Sequence, residues 1–72
     1  MKDNCLYALG AKIRFERIKR KLSQEELAEI TGLSRRAISC IECGTTDPKY
    51  TTLLSVANAL GITIVELLET KF

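Results

Sequence analysis

The residue types that offer binding chemistry cluster on one predicted helix, whose outward faces carry Arg35, Arg36, Ser39, Cys40 and Cys43. Guanidinium groups bind phosphates and the hydrogen-bonding edges of nucleobases, and thiols bind soft metals or become oxidised. The chain has no histidine and no clustered acid–base set, so it offers no constellation for catalysis, and we expect no enzymatic activity. These residues indicate a protein that binds rather than one that catalyses.

Cys40 and Cys43 have C-x-x-C spacing within that helix. A zinc site needs a second pair of ligands, and a thioredoxin-like redox motif needs a neighbouring strand. The sequence predicts neither. Three cysteines, an odd number, fit a reduced intracellular protein better than a disulfide framework. We therefore expect free thiols and no metal or cofactor, with a zinc or redox role as the alternative.

The segment that contains this helix is predicted to form two short helices joined by a tight turn. Ser23 and Glu26 have the S-x-x-E spacing of a capping box, and Gly32 supplies the left-handed residue that ends the first helix. Ser34 can cap the second helix, which ends at Gly44. DNA-binding helix-turn-helix units share this layout with any helical hairpin in a small bundle, and apolar periodicity alone does not separate the two.

The remaining periodic segments predict three further helices. In chain order these are a first helix at about 4–21, a fourth at about 50–60 and a fifth, capped by Thr63, that ends near residue 68. Turn-forming residues predict a loop at 43–49. No strand signal or repeat is present. We expect an all-α fold, namely a compact five-helix bundle with a central helix-turn-helix, and a single domain over residues 1–72.

The C-terminal segment is too apolar for a short helix to bury alone. We expect part of it to face a second copy of the chain, through Ile64, Val65, Leu68 and Phe72. Packing only within the chain is the alternative. No run approaches the roughly 20 apolar residues of a membrane span, and the N-terminal apolar run is too short for a secretory leader. The sequence therefore predicts a cytoplasmic protein without membrane contact.

Charge is distributed unevenly along the chain. The net charge is only +2, but residues 1–22 contain seven basic residues and two acidic ones. This basic end can meet phosphates, and it can equally be a solvated helix whose basic last turn suits the helix dipole.

The caps, glycine stops and apolar periods together match a known pattern. Over about residues 9–68 the chain resembles the Cro/C1-type, or XRE-like, helix-turn-helix transcriptional regulators. The matching pieces are Leu9-Gly10-x-x-Ile13-Arg14, Arg17, Leu22-Ser23-Gln24-Glu25-Glu26-Leu27-Ala28, Thr31-Gly32-Leu33-Ser34, Ile38-Ser39, Ile41-Glu42, Gly44, Pro48 and Ala57-x-Ala59-Leu60-Gly61. The resemblance implies a lambda-repressor-like DNA-binding domain of five helices.

The resemblance also implies which residues meet double-stranded DNA. In this family the second helix points its N-terminus at a phosphate, and the third helix enters the major groove. The implied base contacts are Arg35, Arg36, Cys40 and Ser39. The implied backbone contacts are Ser23, Gln24, Ser34, Arg14, Cys43, Thr45 and Thr46. Cys40 departs from the longer polar residue often found at its position, and its thiol could touch a thymine methyl group or contribute nothing.

Two matched residues are implied to serve structure instead of binding. In this family Arg17 and Glu42 pair with each other inside the fold, and removing one partner of such a buried pair costs about 3–5 kcal/mol. We therefore assign this ion pair to the fold.

The function implied by the resemblance is a sequence-specific transcriptional regulator. We expect a homodimeric repressor, or a controller of a restriction–modification system, bound to a pseudo-palindromic operator with half-sites ~34 Å apart. Whether it contacts RNA polymerase stays open. One alternative is an antitoxin-like interaction module with secondary DNA binding. Another is a thiol-based sensor in which oxidation of Cys40 or Cys43 releases DNA.

Overall fold

A computed structural model describes residues 4–69, with side-chain detail from Leu6 onward. Within this range the chain forms α1 (Asn4–Lys19), α2 (Gln24–Thr31), α3 (Arg35–Cys43), α4 (Tyr50–Leu60) and α5 (Ile64–Leu68). No strand occurs among the described residues. The predicted all-α, five-helix bundle is confirmed.

A single hydrophobic core receives side chains from every helix. Its fully buried members are Ile13 of α1, Leu27 of α2, Ile38 of α3, Val56 and Leu60 of α4, and Leu67 of α5. The third helix packs against α1 and α2, while α4 and α5 close the other side of the core. Because α3 buries only one face, its remaining faces are free to meet a ligand.

The end of α1 differs from the sequence prediction. The helix stops at Lys19 and not at Lys21, which takes a left-handed φ of 59°. The amide of Leu22 then donates to the carbonyl of Arg17 at 3.1 Å, as in a glycine-ended helix. This reversal brings Ser23 to the start of α2. The predicted loop also begins one residue late, since Cys43 belongs to the last turn of α3.

The contact between α1 and α3 depends on Gly10. A Cβ atom at this position would collide with the carbonyl oxygens of Ile41 and Glu42. A side chain of any size here would push the two helices apart. The missing side chain therefore sets how closely α3 approaches α1.

Among the described residues, no helix combines the length and the apolar character needed to span a membrane.

Candidate nucleic-acid interface

The N-terminus of α2 is built by a complete capping box. The Ser23 hydroxyl accepts from the amide of Glu26 at 3.0 Å, and the Glu26 carboxylate accepts from the amide of Ser23 at 2.8 Å. The other first-turn amides have no acceptor within the helix, and the helix dipole adds partial positive charge at this end. Such a helix end binds anions. Ser23 is exposed and Gln24 half-buried at this place.

A hydrogen-bonded network ties this helix end to α1 and α3. Arg17 donates from Nε to Oε2 of Glu42 at 2.6 Å and from a terminal nitrogen to Oε1 at 3.1 Å. Its other terminal nitrogen donates to the carbonyl of Leu22 at 2.6 Å. Both side chains are largely buried. The structure thus places Arg17 and Glu42 together in the fold, away from the exposed faces.

Gln24 joins the same network. Its side-chain amide donates to Oε1 of Glu42 at 3.1 Å. An amide group has two N–H donors, so the second N–H stays available to donate to a phosphate. The sequence did not predict this bond, because the two residues lie 18 positions apart and no pattern couples them.

The next helix, α3, divides cleanly into a buried and an open side. Ser34 caps it by accepting from the amide of Ala37 at 3.0 Å. Ile38 and Ile41 face the core. The open side holds the four predicted base contacts. Arg35 and Arg36 are exposed there, and Ser39 and Cys40 are half-buried. Both guanidinium groups therefore project from the helix end that starts at a cap.

The loop after α3 continues the same surface. Gly44 ends the helix with a φ of 73°, and the carbonyl of Cys40 accepts from the amide and the hydroxyl of Thr45 at 3.1 and 3.2 Å. Thr45 is exposed and Thr46 half-buried. A groove of about 540 Å³ separates α3 from the loop, and Lys49 lines it beside Arg36 and Cys40. Lys49 is a cation near this surface that the sequence reasoning missed.

A second groove brings Arg14 to the end of α3. It has a volume of about 500 Å³, and Arg14, Phe15 and Ile18 of α1 line it together with Cys43. Arg14 and Cys43, both predicted backbone contacts, are exposed there. Lys12 and Lys19 place their ammonium groups 6.0 and 5.9 Å from the ring centroid of Phe15. Arg14 is therefore the cation that lines this groove, and Lys12 and Lys19 lie close to its Phe15 wall.

A buried carboxylate on α1 was also missed. Glu16 is 5% exposed and accepts from Lys12 at 2.9 Å and from Arg20. Lys12, first, and then Arg20 hold the pKa of Glu16 below its ordinary value, against the opposing effect of burial. The i, i+4 spacing of these three residues was the available signal. With Lys12 and Arg20 paired, part of the basic end of the chain neutralises Glu16.

The residues predicted to contact a second copy differ in how deeply they are buried. Ile64 is half-buried and packs against the core of its own chain. Val65 and Leu68 are 60% and 50% exposed. Phe72 lies outside the described residues. Packing within the chain therefore accounts for Ile64, and two of the predicted residues form an exposed apolar pair.

Comparison with known proteins gives a consistent result. A helix-turn-helix family model matches residues 13–67. The chain is 43% identical over 56 residues to the immunity repressor protein of Bacillus phage phi105, covering 78% of this chain and 39% of that protein. It spans about half, or less, of the length of several curated relatives that it matches.

Two solved structures share the fold closely. The restriction–modification controller protein C.AhdI from Aeromonas hydrophila superposes with a TM-score of 0.88 at 34% identity, covering 90% of this chain and 98% of that one. The P22 c2 repressor, crystallised with a synthetic operator, superposes with a TM-score of 0.81 at 35% identity, covering 88% and 96%.

Proposed function

Since the chain belongs to the Cro/C1-type helix-turn-helix family of transcriptional regulators, we propose that it binds an operator as a homodimer and represses transcription in the cytoplasm. The observation that carries this proposal is a single continuous surface. The capped N-terminus of α2 is bonded to α3 through Gln24 and Glu42, and the open side of α3 shares a groove with the loop that follows it. An anion-binding helix end beside a row of base-reading side chains is what a major-groove reader requires.

We assign recognition of the DNA base sequence to α3. Arg35 and Arg36 are exposed on its first turn, and an arginine can donate two hydrogen bonds to O6 and N7 of guanine. Ser39 and Cys40 lie further along the same side. Cys40 is half-buried at the edge of the loop groove, where a short thiol suits contact with a thymine methyl group.

Phosphate contacts are assigned to three places around α3. Ser23 and Gln24 lie at the α2 N-terminus, which Gln24 joins to the end of α3 through Glu42. Ser34, Thr46 and Lys49 line the first groove, with Thr45 next to Thr46 in the loop, and Arg14 and Cys43 line the second groove. Such contacts position the protein but carry no sequence information.

We assign the contact with a second copy of the chain to the C-terminal end of the described residues. Val65 and Leu68 are exposed apolar side chains on α5, one helical turn apart. Burial against a symmetric partner would remove them from water. Two copies related in this way present two α3 helices to successive turns of the major groove, about 34 Å apart.

Selection of bound duplexes from a random pool, at one fixed salt concentration, tests the proposal. We expect recovery of an inverted repeat whose half-sites lie about one helical turn apart. Folded protein that enriches no sequence would contradict it. A Val65→Ser/Leu68→Ser variant should retain its helical content and lose the preference for paired half-sites.

A controller of a restriction–modification system is the second candidate. It is supported by two matched solved structures that are restriction–modification controller proteins, C.AhdI and C.Esp1396I. Transcription in vitro from a promoter that carries the selected operator tests the repressor proposal, because a repressor lowers the transcript at every protein concentration. A transcript that rises at any concentration would contradict repression and leave the controller as the surviving candidate.

A further inference from the structure

The outward side of α1 presents apolar side chains that the proposed function does not use. Tyr7, Phe15 and Ile18 are 69%, 53% and 52% exposed. With Ala11 between them, they follow one another at steps of three and four residues, so all four lie on one side of the helix. At 1.5 Å per residue this stripe is about 16 Å long. We call these four residues the α1 face.

The end of α3 makes the α1 face one wall of a groove. All four residues line the second groove described above, and Glu42 and Cys43 line it from the α3 side. The two helices lie close together here, since a Cβ atom at Gly44 would lie 2.9 Å from the Cα of Tyr7. A contiguous exposed apolar surface of this kind is typical of a site where another molecule binds.

Positive charge lies beside the α1 face. Arg14 lines the groove, and the ammonium groups of Lys12 and Lys19 lie close to the ring of Phe15. Arg14 and Lys19 are exposed, and neither forms a salt bridge with another described residue. The carboxylate of Glu42 is neutralised within the buried ion pair described above. An occupant that complements this groove therefore combines negative charge with an apolar surface.

Other occupants match these features less well. A second copy bound through the same face would set Arg14 and Lys19 against their own counterparts, which are like charges. Double-stranded DNA would meet the cations and leave the apolar side chains without a partner. The part of the chain that the structure describes offers no strand edge for a bound peptide to extend. A helix bonds its own backbone, and it can align apolar side chains with the stripe at the same spacing.

We propose that the α1 face binds an amphipathic helix of another protein, whose apolar side is flanked by Asp or Glu residues. Its apolar side chains pack on Phe15 and Ile18, and its carboxylates pair with Lys19 and Arg14. Arg14 and Cys43 line this groove, and the proposed function places both at the sugar-phosphate backbone. The partner therefore competes with DNA. The competition rests on the proposed function, whereas the binding of the helix does not.

A displayed library of helix-forming peptides of about 15 residues, long enough to span the stripe, supplies the probe. Peptides are selected on the full chain and counter-selected on the variant Phe15→Ser/Ile18→Ser. This variant should keep its helical content by circular dichroism, because both side chains are more than half exposed. The matched control is Ile30→Ser, which removes an exposed apolar side chain from α2. Fluorescence anisotropy then measures peptide binding without DNA.

We expect the selected peptides to combine Asp or Glu with apolar residues at three- and four-residue spacing. Phe15→Ser/Ile18→Ser should weaken their binding by roughly tenfold or more, and Ile30→Ser by about twofold at most. Lys19→Glu should weaken it too, whereas Lys21→Glu, at an exposed position beyond the end of α1, should not.

Three results would overturn the proposal. The first is a selection that yields no peptide dependent on the α1 face, or yields only basic or uncharged peptides. The second is an oligothymidylate strand that binds the wild type and not Phe15→Ser/Ile18→Ser, since single-stranded nucleic acid would then be the occupant. The third is a lower mass for that variant than for the wild type in sedimentation equilibrium, since a second copy would then cover the face.

Adding a selected peptide to protein bound to its operator tests the competition. The peptide should release the duplex from the wild type and leave it bound to Phe15→Ser/Ile18→Ser. A peptide that binds the wild type while the duplex stays bound would overturn the competition. Protein that binds the peptide and no duplex would support the docking site and contradict the proposed function instead.

Discussion

The two halves of α3 are held in different ways. The C-terminal half is fixed from several sides, since Glu42 is bonded to Arg17 and Gln24, and the backbone at Ile41 and Glu42 lies against Gly10. The N-terminal half has one cap, at Ser34, and exposes Arg35 and Arg36. Fixing one end of a short helix positions the other end without using its side chains. We therefore infer that the C-terminal half of α3 stabilises the fold, and under the proposed function the N-terminal half recognises DNA.

The largest expected effect comes from breaking the buried pair. Glu42→Gln or Arg17→Met should lower the free energy of unfolding by about 3–5 kcal/mol, because each strands the partner's charge. Chemical denaturation measures this loss. The exposed carboxylate of Glu29 on α2 supplies the control, and Glu29→Gln should change stability by at most about 0.5 kcal/mol.

The double variant Arg17→Met/Glu42→Leu tests whether the loss of stability in the single variants comes from the unpaired charge. Replacing both charges with apolar groups should recover much of the loss, since no unpaired charge stays buried. Single variants that cost no more than Glu29→Gln would show that the pair does not fix α3.

Gly10→Ala should have the next largest effect. The added methyl group meets backbone carbonyl oxygens of α3 that cannot rotate away, and overpacking of this kind costs about 1–3 kcal/mol. Thermal melting checks it. Ala8→Gly, two residues before Gly10 on the same helix, is the control for altered helix propensity, with an expected cost of about 1 kcal/mol or less. A Gly10→Ala protein as stable as the wild type would contradict the close approach of α1 and α3.

The smallest expected effect is a pH dependence from Glu16, which lies outside α3. Its pKa is lowered in the folded state, so its stabilising effect is complete above the ordinary carboxyl pKa. It is lost as the pH falls through the lowered value. Because Lys12 and Arg20 are partly solvated, we expect about 1 kcal/mol or less. The difference in melting temperature between wild type and Glu16→Gln should shrink on acidification. A difference that grows would show that the pKa is raised.

Local rules were enough to predict most of the fold. Ser23, Ser34 and Thr63 each cap a helix through a nearby amide, and Gly32, Gly44 and Gly61 each take the left-handed form that ends one. These features depend on a few adjacent residues, so the sequence displays them. The end of α1 escaped prediction because Lys21, a residue with a Cβ atom, takes that role.

Prediction of the candidate site was less complete. The spacing of Ile38 and Ile41 places both side chains on the buried face of α3, and it thereby predicted which residues lie on the open side. The bond from Gln24 to Glu42 and the position of Lys49 beside Arg36 depend on how separate helices pack. Residue spacing within one helix carries no information on such contacts.

The measurement that tests the division of α3 most directly is the binding of Arg35→Ala and Arg36→Ala to the selected operator, to operators changed at single base pairs, and to random DNA. Each variant should lose about 1–3 kcal/mol on the operator, relax the preference at one position of each half-site, and melt like the wild type. Equal losses on operator and random DNA would reduce the arginines to phosphate contacts. That result would contradict the assignment of recognition to the exposed half of α3.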